Sequence, residues 1–135
     1  MTRRRLIAAA AVVLAAAAIA VAAGGGGRSS GAAAATCASG RPVALAVPVP
    51  HGTLVASQRR GLAGYRIVQG FVPGTLVQAR DWFRRTLPRN GYRIYAGDAE
   101  QYEADAAFRG HGVDARLRLR DLGCRGWVTL ELAVR

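Results

Sequence analysis

The chain has 135 residues, enough for one ordinary domain, and a formal net charge of +11 with a pI of about 11.4. All 19 basic residues are arginine and none is lysine. In a chain this rich in alanine and glycine that bias reflects base composition of the coding sequence, so the charge alone does not point to nucleic acid.

Arg3-Arg4-Arg5 precedes an unbroken small or apolar run, Leu6 to Ala23. A basic stretch before an apolar run is the pattern of export. The run exceeds the roughly 7–15 residues of a typical signal-peptide core. At about 1.5 Å per helical residue it nearly spans a hydrocarbon core of about 30 Å. It is mostly alanine; Leu6, Ile7, Val12, Val13, Leu14, Ile19 and Val21 carry its hydrophobicity, while Val21 and Ala23 also suit a cleavage site. Residues 1–23 therefore read as a signal peptide or membrane-anchor helix, with the uncleaved anchor set first. Either way the arginines stay inside and the remainder is exported, to the extracytoplasmic face of the membrane or, after cleavage, as a secreted protein. The membrane is a partner through residues 6–23 in the uncleaved case.

Residues 24–40 are a Gly/Ala/Ser linker without periodicity. Cys37 is too far beyond the apolar run for lipid modification, and Ala34-Ala35-Thr36 lacks the branched aliphatic residue such sites carry. Its expected partner is Cys124, the other cysteine of the chain, because two cysteines in an exported chain suggest one disulfide. Metal binding by two cysteines without a nearby histidine is a poor alternative.

Residues 41–135 form the exported domain. Arg41–Pro50 alternates Val43, Leu45, Val47 and Val49, but Pro42, Pro48 and Pro50 restrict it to an edge or extended lead-in. Thr53–Ser57 reads as a short strand, Gln58–Gly64 as a loop and Tyr65–Val72 as a strand. After Pro73-Gly74 the spacing predicts a helix over Thr75–Leu87. Thr75 and Gln78 make a capping box. Leu76, Ala79, Phe83 and Leu87 form one apolar stripe, widened by Trp82. Asp81 and Arg85 are spaced for an ion pair, and Pro88 is expected to stop the helix.

Tyr92–Ala96 follows as a strand. Three runs then alternate with period two, Tyr102–Arg109, Val113–Arg120 and Trp127–Val134, each a half-buried antiparallel strand. A type II′ turn at Gly110-His111 would set Glu103 opposite Arg118 and Asp105 opposite Arg116. The fold class is α+β: an antiparallel sheet of about five to six strands with one helix packed on one face, preceded by the N-terminal apolar helix and flexible linker.

Gly97-Asp98-Ala99-Glu100, Glu103-Ala104, Phe108 with Gly110 and Gly112, and Gly123-Cys124 with Gly126 carry a resemblance. So does the helix end at Leu87-Pro88 with Gly91-Tyr92. From Pro48 to the C-terminus the chain resembles a family of small exported bacterial proteins to which no activity is assigned. The resemblance implies export and this fold, and no chemistry.

Two groups of side chains invite a functional reading. Asp98, Glu100, Glu103 and Asp105 could offer hard oxygen ligands to Ca²⁺, but two of them face arginines, so salt-bridged surface is preferred. Arg80, Arg84, Arg85, Arg116, Arg118 and Arg120 are possible contacts to an anionic surface. No aromatic residues interleave with them as a nucleic-acid platform needs, and nucleic acid is disfavoured as a partner. His51 and His111 lie singly in turns without an adjacent nucleophile or paired acid. No catalytic residue, cofactor or metal ligand is implied. The expected role is binding or structural, at the cell envelope. A basic module docking to an anionic surface is the alternative, and a small hydrolase without an identifiable site is the third.

Overall fold

The computed structural model describes residues 37–135. The leader, and the linker as far as Thr36, lie outside the described residues. The rest forms β1 (Leu54–Arg60), β2 (Arg66–Pro73), α1 (Leu76–Arg89), β3 (Arg93–Ala99), β4 (Glu103–Gly110), β5 (Val113–Arg120) and β6 (Trp127–Val134). The strands make one antiparallel six-stranded sheet in the order β1-β2-β6-β5-β4-β3. The α+β reading is thus correct at this level.

The chain order explains why the helix organises the domain. From β2 the chain crosses the sheet on α1 and re-enters at the far edge as β3. Strands β4, β5 and β6 then fill the gap by consecutive hairpins, and β6 closes against β2.

Alternation along each strand decides the faces. On the inner face Val68, Val72, Ala104, Phe108, Ala115, Leu117, Leu119, Val128, Leu130 and Leu132 are buried. They form one cluster with Leu76, Ala79, Phe83 and Leu87 of α1, the stripe expected from helical spacing. Each large aliphatic or aromatic side chain withdrawn from water this way stabilises the fold by about 1.5–3 kcal/mol. The lead-in joins the same core through Val47, with Val43, Leu45 and Val49 packed against it. Its prolines limit it to one bridge, in which Arg41 and Val55 exchange backbone hydrogen bonds of 3.1 and 2.8 Å. The Tyr92 hydroxyl donates to the Ala46 carbonyl at 3.1 Å and ties the lead-in to the start of β3.

The helix begins as expected. Thr75 Oγ1 accepts from the Gln78 N–H, and Gln78 Oε1 accepts from the Thr75 N–H at 2.9 Å. It ends later than expected, because Pro88 lies inside the last turn. The missing proline N–H would have served only the Arg84 carbonyl, and two residues on the helix closes anyway. Gly91, at φ +80°, sends its N–H to the Pro88 carbonyl, and Tyr92 sends its own to Leu87. That is a Schellman closure, which satisfies the carbonyls of the final turn. Asp81 pairs with Arg80 at 3.0 Å, not with Arg85.

Two further expectations are corrected. Strand β1 continues through Gln58, Arg59 and Arg60, which pair with Val68, Ile67 and Arg66. At a sheet edge such side chains remain solvated, so their polarity does not forbid a strand. In the β4–β5 hairpin the two-residue turn is His111-Gly112, with φ of +51° and +75°. Positive φ at both positions is the type I′ geometry, which shifts the register by two residues. Glu103 then faces Arg120, and Asp105 faces Arg118. A shift of two preserves the faces, so acids still oppose arginines.

Candidate functional site

Three features of the domain could carry function: the cystine, the exposed face of the sheet, and a groove under the helix. Cys37 and Cys124 are disulfide-bonded with their α-carbons 5.9 Å apart and a sequence separation of 87. Cys124 is presented by the turn between β5 and β6. There the Gly123 N–H donates to Asp121 Oδ1 at 2.9 Å, and Gly123 and Gly126 take the positive φ the turn requires. Gly74, just before α1, donates its N–H to the Gly126 carbonyl at 2.9 Å. The bridge therefore joins the first described residue to the loop against which the helix start is anchored.

The outer face carries a polar row across all six strands: Ser57, Gln69, Glu131, Arg118, Asp105 and Asp98. Ser57 Oγ donates to Gln69 Oε1 at 3.2 Å, and Gln69 Nε2 donates to Glu131 Oε2 at 3.1 Å. Arg118 Nε reaches Asp105 at 3.1 Å and Glu103 at 3.2 Å, while Arg120 binds Glu103. The Asp105 hydrogen bond and charge, helped by Glu103 and Glu131, raise the Arg118 pKa further. Nearby, the Tyr95 hydroxyl donates to Asp114 at 2.9 Å. That bond raises the Tyr95 pKa and, with Arg135, lowers that of Asp114. These groups mostly satisfy one another, and exposed pairs of this kind contribute about 0–1 kcal/mol each. A shallow hollow of about 590 Å³ lies on this face over Ala96, Ala107 and Ala133, beside Arg116.

The six arginines singled out from sequence do not form one patch. Arg116, Arg118 and Arg120 lie on the outer face by alternation, opposite to the buried Leu117 and Leu119. Arg80, Arg84 and Arg85 ride on α1, on the other side of the sheet. Arg118, Arg120 and Arg80 have carboxylate partners; Arg84, Arg85 and Arg116 have none among the described residues.

The acidic cluster is partly gathered, with Asp98 opposite Asp105 on the neighbouring strand and Arg118 shared by Glu103 and Asp105. Glu103 and Asp105 are held by arginines, and the Asp98 carboxylate accepts from the Ala99 N–H at 2.7 Å. Among the described residues no three His, Cys, Asp or Glu side chains are placed to hold a metal ion. His111 donates from Nε2 to the Asn90 carbonyl at 2.8 Å and sits edge-on to Tyr92, a packing role that braces the hairpin turn against the helix end. No helix among the described residues is long and apolar enough to cross a membrane.

Sequence reasoning missed the third feature. Between α1 and strands β3 to β5 runs a groove of about 460 Å³, with Phe83, Ile94, Leu117 and Leu119 among its walls and Arg80 and Arg84 at its helical side. Its signal was present in the sequence: the inward positions of β3 and β4 there are Gly97, Ala99, Ala104 and Ala106, where a filled core would have larger side chains. Comparison of the chain with models of protein families, with curated proteins and with solved structures finds no match.

Proposed function

We propose that this chain is an exported domain, held at the outer face of the cell membrane by its N-terminal apolar run, and that it acts there by binding rather than by catalysis. The observation that carries the reading is the Cys37–Cys124 disulfide. Such bridges persist in oxidising compartments and are rare where thiol reductants prevail. The arginines before Leu6–Ala23 agree with it, since they orient an apolar segment with the following chain outside. So does the resemblance to small exported bacterial proteins. Binding is preferred because the polar groups of the outer face are engaged with one another, while the helix–sheet groove is open and combines an apolar floor with a few charged groups.

Trypsin added to intact spheroplasts is expected to cut at Arg28 in the linker and separate the domain from the membrane. Complete protection before lysis, with digestion after it, would overturn the topology. N-terminal sequencing of the same preparation distinguishes an anchored chain from one cleaved near Ala23.

A second reading, docking to an anionic surface of lipid, wall polymer or nucleic acid, is favoured by one observation: the exposed Arg84 and Arg85 form no ion pair among the described residues. It requires retention on anionic liposomes or polymer that weakens as salt rises.

A further inference from the structure

We propose that the groove between α1 and the β3–β4 edge is a binding site for one long-chain fatty-acid carboxylate. This deepens the binding role proposed above and rests on it.

The groove owes its existence to residue size. In register, Gly97 faces Ala106 and Ala99 faces Ala104, and these pairs adjoin Leu117 and Leu119 of β5. Four small residues in a block leave the space that large aliphatics would occupy under a helix. Phe83 of α1 and Leu119 are nearly fully buried at the bottom, whereas Gly97 and Ala99 remain exposed. The slot thus has an apolar floor, charged residues along its borders, and an opening along the sheet edge. At about 460 Å³ it falls in the range of about 300–1,000 Å³ typical of small-molecule sites, at the end that suits a single hydrocarbon chain rather than a two-chain lipid.

Charge at the mouth selects the head group. Arg80 and Arg84 are successive helical neighbours along the groove. Arg80 gives both Nε and Nη2 to Asp81 Oδ1, each at 3.0 Å. Arg84 has no such partner among the described residues, so one guanidinium fork is free, which matches one carboxylate. Asp98 and Asp105 also border the groove, but alternation directs their carboxylates to the outer face, where Asp105 is bound by Arg118. A single free cation at the mouth matches the charge of a monoanion.

The test uses the full chain in nanodiscs of zwitterionic lipid and a diazirine-bearing hexadecanoic acid. After irradiation, label is expected on the tryptic peptide Ile94–Arg109, which covers all but one residue of each of β3 and β4. Hexadecanoate is expected to displace it at about tenfold lower concentration than hexadecanol, a difference typical of one charge-assisted hydrogen-bonded pair. Arg84→Gln is expected to erase that difference while leaving chain-dependent labelling. Ala106→Leu, which fills the slot, is expected to cut labelling of Ile94–Arg109 at least tenfold. Its thermal transition, read by circular dichroism, controls for folding. Label confined to the apolar peptide Leu6–Arg28, or equal displacement by acid and alcohol, would overturn the proposal. Neither result would alter the trypsin cut at Arg28 in spheroplasts, so the site and the topology fail separately.

Discussion

Replacement of Cys37 by serine is expected to lower the stability of the oxidised domain by about 2–5 kcal/mol. The bridge spans 87 residues, and the chain-entropy model assigns a loop of that length about 4–5 kcal/mol. The effect is large because little else holds the N-terminal segment. Residues 37–50 form no strand; they are kept on the core by Val47 and its neighbours, one bridge at Val55 and one hydroxyl bond at Ala46. Freed at Cys37, the segment can lift away and expose the core beneath it. Urea denaturation is expected to show a lower midpoint together with a steeper dependence on urea, since the uncrosslinked unfolded chain exposes more surface. Wild type under reducing conditions is expected to match the variant. A midpoint that does not move would mean that the lead-in is held without the bridge.

Phe108→Ala is expected to cost about 3–5 kcal/mol, the range for deleting a buried aromatic ring. Phe108 is 0 % exposed and stands on β4 between Ile94 of β3 and Ala115 of β5. Tyr92 meets it edge to face, with ring centroids 5.6 Å apart at 87°. The substitution therefore opens a cavity among three strands, beside Tyr92 just past the helix end. Phe108→Leu retains most of the volume and is expected to lose less. Leu122→Ala, at a position 70 % exposed, is expected to stay within about 0.5 kcal/mol, as surface changes usually do. Equal losses at Phe108 and Leu122 in the same denaturation experiment would contradict the placement of the core.

Much of this core was readable because period and chemistry agreed. The runs on β5 and β6 alternate without interruption, and their bounds, Val113–Arg120 and Trp127–Val134, match the runs read from sequence. The Thr75–Gln78 cap and the Leu76–Leu87 stripe were legible for the same reason. The pairing of Cys37 with Cys124 followed from there being two cysteines. Elsewhere the tertiary context decided. Arg59 and Arg60 look like loop residues, yet β2 offers them partners in an edge strand. Gly110 looks the natural first turn residue, yet His111 takes that place at positive φ, where its bond to Asn90 and contact with Tyr92 hold it and set the hairpin register. Pro88 marks a helix end only to within two residues, because capping by Gly91 and Tyr92 lies beyond it. The groove was the least legible feature. A glycine and three alanines are commonplace in an alanine-rich chain, and they become a slot only when β3 and β4 align them beneath α1.

An exported domain closed by a disulfide is tested most directly by counting thiols in the chain as it leaves the cell. Cells are quenched in acid, and the chain is alkylated under denaturing, non-reducing conditions and weighed by mass spectrometry. No alkyl group is expected before reduction, and two after it, at Cys37 and Cys124. Two alkyl groups before reduction would show a reduced chain, and would contradict both the cystine and the oxidising location proposed from it.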